Sequence, residues 1–339
     1  RGIVLDLKSQ DGKEALRRLL RDADVLIENY RLGTMEKLGL GYEELRKLNP
    51  GLIYCEVSGF GRTGPYAHRG GFDLIAQGMS GLMSITGEAP GRQPVKVGAP
   101  ISDITAGIIA AMGVSAAYSH KLKTGQGQKV DTSLFEAAIT HTYWQSAIAF
   151  ATGQSPEAMG SAHPLNAPYQ AFQTTDGWIN IGAANQANWE RMLGFLGAEH
   201  LNDDPRFSSN AVRIENRVAL AETLSEIFRR NTTAHWLEEF EKAGVPAGPV
   251  LSVTEMHADP QALAREMIAA TDHPVAGNVK TIGHPVKFSE TPGGVTRPAP
   301  LMGQHTAEVL LELGYTEDEI TSMAKSGAII LSDAPPPDR

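Results

Sequence analysis

The chain has 339 residues, of which 42% are hydrophobic and 20% are charged, so it can bury a sizeable core and is not disordered over most of its length. This length fits two domains better than one. The net charge of -9 argues against a nucleic-acid-binding protein, which usually carries a basic surplus. The single cysteine, Cys55, excludes a disulfide-stabilised scaffold and favours a reducing compartment.

The N-terminal region has the pattern of strand, helix and strand. Ile3–Leu7 and Asp24–Glu28 are short apolar runs, and Asp11–Arg21 between them places its leucines on one helical face. Leu52–Val57 is a third apolar run. Because parallel strands need a crossover connection, this order predicts an α/β fold with a parallel sheet.

Two long, mostly apolar helices are predicted next, over Ile104–Lys121 and Ser133–Ala151. The most apolar stretch of the chain, Ala106–Ala117, lies in the first of them. A membrane-crossing helix needs about 20 apolar residues, so this shorter stretch predicts a buried helix.

The composition changes near Gly153, where residues 153–168 are rich in glycine, proline and small polar residues. Tyr169–Phe172 and Trp178–Gly182 then flank an Asp-Gly turn, which predicts a β-hairpin, and three amphipathic helical stretches follow it. We predict these boundaries: a large domain over 1–152, a linker or active-site loop over 153–168, a small α+β domain over 169–272, a C-terminal return over 273–330 and a disordered tail over 331–339.

The Gly-rich segment Gly59–Gly64 matches the G-x-G-x-x-G pattern of dinucleotide-binding loops. Pro65 follows at once and no apolar helix begins there, so we interpret the segment as a turn or as a loop over another ligand. The ten histidines form no zinc-binding motif, and we expect no metal site.

Asp103 stands where a proline-containing loop enters an apolar helix. It could be a helix N-cap, because aspartate accepts hydrogen bonds from free backbone N–H groups. It could also be a partly desolvated carboxylate that attacks an activated acyl carbon. Asp73, after Gly70-Gly71-Phe72, is open to the same N-cap interpretation.

Lys8, Arg31 and Lys37 fall at or just beyond the predicted carboxyl ends of the first two strands. Ligands of open α/β sheets bind at this edge. The three cations are therefore either solvated surface charges or the binding site of an anionic ligand.

Several segments, in this order, resemble the class III CoA-transferase family (CaiB/BaiF type). They include LDLKS, DVLIENYRLGTMEKLGLGYEEL, GGFDLIAQGMSG, GAPISDITAG, GVPAGPV and LMGQHTAEVLLELGY. The resemblance runs from Ile3 to about Ile330 and implies a Rossmann-like large domain, a smaller domain inserted before the C-terminal return, and a homodimer of two interlocked rings.

The resemblance also implies roles for individual residues. Asp103 matches the nucleophile, and Phe72 and Asp73 match an aromatic and an acidic residue beside it. The matches to CoA-binding positions are Leu5, Lys8, Asn29, Tyr30 and Lys37. Gly160, Ser161 and His163 lie where the family has a mobile, Gly-rich substrate loop, which has fewer glycines here.

The implied reaction moves CoA from an acyl-CoA such as succinyl-CoA to a small carboxylic or dicarboxylic acid. It proceeds through aspartyl anhydride and aspartyl-CoA thioester intermediates, with CoA as substrate and no permanently bound cofactor.

Family members begin about 60–70 residues earlier, so we expect the first strand and some CoA contacts to be missing. Two alternatives stay open: an α-methylacyl-CoA racemase, and a truncated chain that only binds CoA. We expect no nucleic-acid or membrane partner, and a location in the cytoplasm, or in the mitochondrial matrix of a eukaryote.

The family's racemases carry a histidine in a Gly-His-Asp string. The matching string here is Gly71-Phe72-Asp73, and Phe72 cannot accept a proton. The sequence therefore favours a transferase over a racemase.

Overall fold

The computed structural model describes residues 1–332, and the predicted tail beyond Ser332 lies outside these residues. The helices, in chain order, are α1 (Gln10–Arg21), α2 (Thr34–Leu38), α3 (Tyr42–Leu48), α4 (Asp73–Met79), α5 (Leu82–Ile85), α6 (Ile101–Thr124), α7 (Leu134–Thr140), α8 (Tyr143–Thr152), α9 (Gln186–Leu196), α10 (Asn210–Glu215), α11 (Arg217–Phe228), α12 (Thr233–Ala243), α13 (Val253–Met256), α14 (Pro260–Ala264), α15 (Thr306–Glu312) and α16 (Glu317–Lys325). The strands are β1 (Val25–Glu28), β2 (Ile53–Ser58), β3 (Lys129–Ser133), β4 (Tyr169–Gln173), β5 (Trp178–Gly182), β6 (Ala247–Pro249), β7 (Ile268–His273) and β8 (Gly277–Ile282).

The chain divides into two compact units. The first unit comprises Arg1–Ile85, Pro94–Pro156 and Arg297–Arg339, and the second comprises Thr86–Gln93 and Glu157–Thr296. Both contain helices and strands, so the structure is mixed α/β, as predicted.

The first unit contains a parallel sheet in the order β1-β2-β3. The central strand β2 pairs with β1 through Val25 and Ile53 and with β3 through Tyr54 and Lys129. Because a central parallel strand is covered on both faces, it can be apolar throughout, and Ile53, Tyr54 and Cys55 are wholly buried. The prediction of a parallel sheet is confirmed.

The predicted strand at Ile3–Leu7 is wrong. Only Leu5 forms a β-bridge, an antiparallel one with Ile329. The backbone N–H groups of this segment bind C-terminal residues instead: Val4 donates to the Thr306 hydroxyl at 3.1 Å and Asp6 to the Ala328 carbonyl at 2.8 Å. The apolar residues thus pack on the return of the chain and not in the sheet.

The two predicted long helices also need correction. The first is α6, whose 24 residues are long and apolar enough to cross a membrane by length and composition alone. The prediction from Ala106–Ala117 that this helix is too short to do so was therefore wrong. Helix α6 packs on β2 and β3, and only one side of it is buried, at Ser102, Ala106, Ala110 and Ala117. Gly113 permits this packing, because a Cβ there would lie 2.9 Å from a methyl group of Val130.

The predicted helix over Ser133–Ala151 is two helices, α7 and α8, and its first residue, Ser133, is the last residue of β3. The side chain of Ser133 accepts a hydrogen bond from the Glu136 N–H and so caps the start of α7, which ends at Thr140. Strand β3 was missed because its sequence, KVDTS, is mostly polar.

The second unit contains an antiparallel sheet in the order β4-β5-β6. The predicted hairpin is confirmed, with Phe172 opposite Ile179 and the turn at Thr174–Gly177. Helices α9, α11 and α12 cover a core of buried aromatic and aliphatic side chains, among them Trp189, Phe228 and Phe240. A second hairpin, β7-β8, was not predicted, and it spans the predicted boundary between the small domain and the C-terminal return at residue 273.

Candidate active site

Asp103 lies in the first turn of α6 and is exposed. The N-cap position is held by Pro100, so the interpretation of Asp103 as an N-cap is wrong. Among the described residues, no side chain pairs with its carboxylate. Desolvation raises the pKa of Asp103 above its usual value, and the charge of Asp73 raises it further. We call Asp73 and Asp103 the acid pair.

Asp73 is the first residue of α4, and its carboxylate does not cap that helix. Oδ1 accepts a hydrogen bond from the Ser102 N–H at 2.9 Å, so Asp73 caps α6 from outside. Oδ2 accepts from the Gln77 side-chain amide at 2.8 Å. The start of α4 is thereby bound to the turn that carries Asp103.

Phe72 immediately precedes α4, and its side chain is 77% exposed. Because Asp73 binds the first turn of α6, Phe72 and Asp103 belong to adjoining segments. Ile104, which follows Asp103 in the chain, is also exposed, so two exposed apolar residues belong to the segments that carry the acid pair.

Asn29 and Tyr30 directly follow the carboxyl end of β1. The Asn29 amide donates to the Val57 carbonyl at 2.6 Å, which holds this segment beside β2. The Tyr30 ring is half exposed. Both residues therefore lie at the predicted edge of the sheet.

Lys8 lies between the Leu5 bridge and α1, and Lys37 lies in the last turn of α2. Both side chains are exposed, and in residues 1–332 neither ammonium group forms an ion pair. Arg31, between β1 and α2, is also exposed.

A group of charges lies beside this edge of the sheet, and we call it the sheet-edge cluster: the buried Glu28, Glu56 and Arg62, and the exposed Lys129 and Asp131. Arg62 forms ion pairs with Glu28 and with Glu56, the latter at 3.0 Å, and Lys129 pairs with Glu56. Asp131 accepts from the Arg62 backbone N–H at 3.2 Å. Each glutamate thus has a cationic partner.

Arg62 also fixes the segment after β1, since its guanidinium donates to the Tyr30 carbonyl at 3.0 Å. Arg62 belongs to the Gly-rich segment Gly59–Gly64, which no helix follows before Asp73. The segment therefore lacks the helix of a dinucleotide-binding loop. Sequence analysis missed Arg62, and the available signal was a single arginine among glycines after a strand that contains a glutamate.

Gly160, Ser161 and His163 lie in the second unit, in the loop before β4. The Ser161 hydroxyl accepts from the Ala171 N–H at 2.9 Å, and the His163 N–H donates to the Tyr169 carbonyl at 3.0 Å. Gly160 has a φ of +62°, a conformation that favours glycine. The loop is thus hydrogen-bonded to β4 at two points.

No group of three or more histidine, cysteine, aspartate or glutamate side chains that could hold a metal ion is found within residues 1–332.

The model of CoA-transferase family III matches residues 1–306. The chain belongs to this family. The predicted family and enzyme class are therefore confirmed, and similar proteins with the names of CoA-transferases agree with both.

The chain is 40% identical over 324 residues to a succinate–glutarate CoA-transferase of Agrobacterium fabrum, covering 95% of this chain and 80% of the relative. It is 34% identical over 330 residues to the human succinyl-CoA:glutarate CoA-transferase, covering 97% of this chain and 75% of the relative. A solved CAIB/BAIF family protein from Brucella suis is similar in structure, with a TM-score of 0.80 and 39% identity over 91% of this chain and 80% of that one.

Proposed function

We propose that this CoA-transferase family III chain moves CoA from an acyl-CoA, such as succinyl-CoA, to a small carboxylic or dicarboxylic acid. The observation that carries the proposal is the state of Asp103: an unpaired carboxylate with a raised pKa, in the first turn of α6, at the position that matches the family nucleophile. The names of the relatives, which act on succinyl-CoA and dicarboxylates, support the choice of substrates.

In the proposed reaction, an Asp103 oxygen attacks the thioester carbonyl, and the carbon–sulfur bond breaks. The products are an acyl-aspartyl anhydride and CoA thiolate. The thiolate then attacks the aspartyl carbonyl and releases the donor acid, which leaves an aspartyl-CoA thioester. An acceptor carboxylate attacks this thioester, and the steps run in reverse to give the new acyl-CoA.

The surroundings of Asp103 suit this chemistry for two reasons. A carboxylate without a cationic partner loses less nucleophilicity than one held in an ion pair. Phe72, on the segment bound to the turn that carries Asp103, supplies an apolar group that can limit the access of water to the anhydride and the thioester once substrate is bound.

We propose that Leu5, Lys8, Asn29, Tyr30 and Lys37 bind CoA. The exposed ammonium groups of Lys8 and Lys37 can approach phosphates, and the exposed ring of Tyr30 can contact a base. We propose that Gly160, Ser161 and His163 contribute to the substrate pocket, as in the family.

We propose that the active form is a homodimer of interlocked chains. Ile104, Ile108 and Met112 form an exposed apolar stripe on α6, at the i, i+4, i+8 spacing of one helical face, and Tyr143 and Phe150 on α8 are more than 80% exposed. Apolar surfaces of this kind mark contacts with another protein. Native mass spectrometry should give a mass twice that of the chain, and a monomer at micromolar concentration would contradict the proposal.

We propose the cytoplasm as the place of action. The only cysteine, Cys55, is buried and free, and burial raises the pKa of its thiol, so the chain gains nothing from an oxidising compartment. Fractionation of the source cells should recover the protein with cytoplasmic markers.

The test of the function is to incubate the chain with succinyl-CoA and a panel of carboxylic acids and to identify new thioesters by mass spectrometry. We expect acid-dependent formation of a new acyl-CoA, with Asp103→Ala as the inactive control. CoA binding without transfer would instead support a non-catalytic chain. Rapid α-deuteration of a 2-methylacyl-CoA in deuterated water, without any acid, would support a racemase.

A further inference from the structure

Gln77 lies on α4, one turn after Asp73, and is completely buried. Both ends of its side-chain amide are used. Nε2 donates to Asp73 Oδ2 at 2.8 Å, and Oε1 accepts from the Val97 N–H at 2.9 Å. The amide therefore joins the acid pair to the loop that leads into α6.

These bonds form a continuous series. The Val97 N–H binds Gln77, Gln77 binds one oxygen of Asp73, and the other oxygen of Asp73 binds the Ser102 N–H. Ser102 directly precedes Asp103 in the chain. The position of the first turn of α6 thus depends on a side chain that is buried beneath it.

Only an amide satisfies both contacts near neutral pH. It donates to a carboxylate at one end and accepts from a backbone N–H at the other. An ionised glutamate can only accept, and a leucine of similar size does neither. Burial leaves no water to replace either bond.

We propose that Gln77 is a positioning residue for the CoA-transfer reaction: its amide holds Asp73 and the Val97 backbone, and thereby fixes the turn that presents Asp103. This inference rests on the function proposed above. Gln77 does not touch the substrate in this account, and it acts through Asp73 and Ser102.

The other charged groups nearby must be considered in any pH-dependent test. Helix α4 packs on α5, α6 and α7. The titratable side chains on these neighbours and beside Val97 are Asp103, Tyr118, His120, Lys121 and Lys123 on α6, Glu136 and His141 at α7, and Lys96, while α5 has none. Glu136 is bound to Ser133, His141 to Thr105, and Lys96 to backbone carbonyls.

The central variant is Gln77→Glu. When the introduced carboxyl group is ionised it repels Asp73 and cannot donate to it, and when it is protonated both original contacts can form again. We expect the kcat for CoA transfer to fall about 10- to 100-fold at pH 8 and to recover at least about fivefold, relative to wild type, on lowering the pH to about 5.5. Gln77→Leu should be slow at both pH values.

The matched control is Leu134→Ala, which opens a cavity in the hydrophobic cluster that α4 shares with α6 and α7 and leaves the amide intact. Leu134→Ala should be less stable than wild type but keep the wild-type pH profile of kcat. Gln77→Glu and Leu134→Ala both retain His141, so a difference between their pH profiles cannot come from this residue. The Kd for free CoA should change less than about twofold in all variants. Gln77→Leu with the kcat of wild type, or Gln77→Glu with the pH profile of wild type, would overturn the proposal.

A second measurement separates this proposal from the proposed function and does not need activity. The Asp103 carboxyl is titrated by carbon-13 NMR in wild type, Gln77→Leu and Leu134→Ala. We expect the pKa of Asp103 to fall in Gln77→Leu alone, because Asp73 keeps only its bond to the Ser102 N–H and its charge is held less firmly beside Asp103. It should stay above the ordinary value, since desolvation is the larger cause of the raised pKa. An unchanged Asp103 titration in folded Gln77→Leu would overturn the positioning role even if no acid serves as acceptor, and if Gln77→Leu does not fold, Gln77→Met takes its place with the same expectation.

Discussion

The first unit contains two groups of carboxylates in opposite surroundings. In the sheet-edge cluster, Glu28 and Glu56 are buried and each is paired with a cation. In the acid pair, Asp73 accepts only neutral N–H groups, and Asp103 has no partner among the described residues. The paired carboxylates hold loops in place, whereas the unpaired one has a raised pKa and is available to react.

The difference also explains how one fold can combine a rigid edge with a reactive group. Arg62 binds Glu28, Glu56 and the Tyr30 carbonyl, so the cluster determines where the predicted CoA-binding segment lies. The acid pair lies on α4 and α6, and its geometry depends on neutral hydrogen bonds. Substitutions in the two groups should therefore have different consequences: loss of stability in the cluster, and loss of chemistry in the acid pair.

The largest expected effect is on catalysis, at Asp103. Asp103→Ala should lower the kcat for CoA transfer by roughly 10⁴-fold or more, because it removes the only proposed covalent route. CoA binding should persist within about twofold, measured by isothermal titration with free CoA. Turnover within tenfold of wild type would remove Asp103 from the mechanism.

The next effect is on stability, at Arg62. Arg62→Met should lower the free energy of unfolding by about 3–5 kcal/mol, because it leaves two buried glutamates without this partner. The matched control is Arg69→Met in the same loop, where the exposed guanidinium only covers the Tyr66 ring and should contribute less than about 1 kcal/mol. Equal urea midpoints for the two variants would show that the cluster does not hold the loop.

A smaller effect is expected on CoA affinity. Lys8→Ala and Lys37→Ala should each raise the Kd for CoA about three- to tenfold, and more at low salt, because exposed ammonium–phosphate contacts are screened. Folding stability should change by less than about 0.5 kcal/mol. Lys123→Ala, at the opposite end of α6, serves as the control and should leave the Kd unchanged.

The smallest effect is a gain in stability from Asp103→Asn. The pKa of Asp103 is raised in the folded state, so wild type loses stability as the pH rises from the ordinary value of 3.8 through the raised value. The neutral amide avoids this loss. The melting temperature at pH 7 should rise by about 1–2 °C, and the gain should vanish below about pH 4. A gain that is equal at both pH values would contradict the electrostatic explanation.

Much of the sheet could be predicted from the sequence, because β1, β2 and the β4-β5 hairpin have apolar or turn patterns that their own residues determine. Strand β3 could not, since its polar residues form a strand only beside the buried β2. Ile3–Leu7 has the pattern of a strand, but its backbone donors bind residues about 300 positions away in the chain. Tertiary contacts decided both cases.

The candidate site shows the same limit. Asp103 could be singled out from its neighbours in the chain, and the family resemblance selected the nucleophile over the N-cap. Gln77 could not, because Val97 lies 20 residues from the side chain that binds it and Ser102 lies 29 residues from Asp73, and only the fold joins them. The i, i+4 spacing of Asp73 and Gln77 on α4 was the one local signal.

The most direct test of the central claim is to detect CoA on Asp103. The chain is incubated with succinyl-CoA, quenched, digested and analysed by mass spectrometry, with and without an acceptor acid. We expect a thioester-linked CoA on the peptide that contains Asp103. This adduct should be lost when the acceptor acid is added and should be absent from Asp103→Ala. Transfer by wild type with CoA on another residue, or on none, would contradict it.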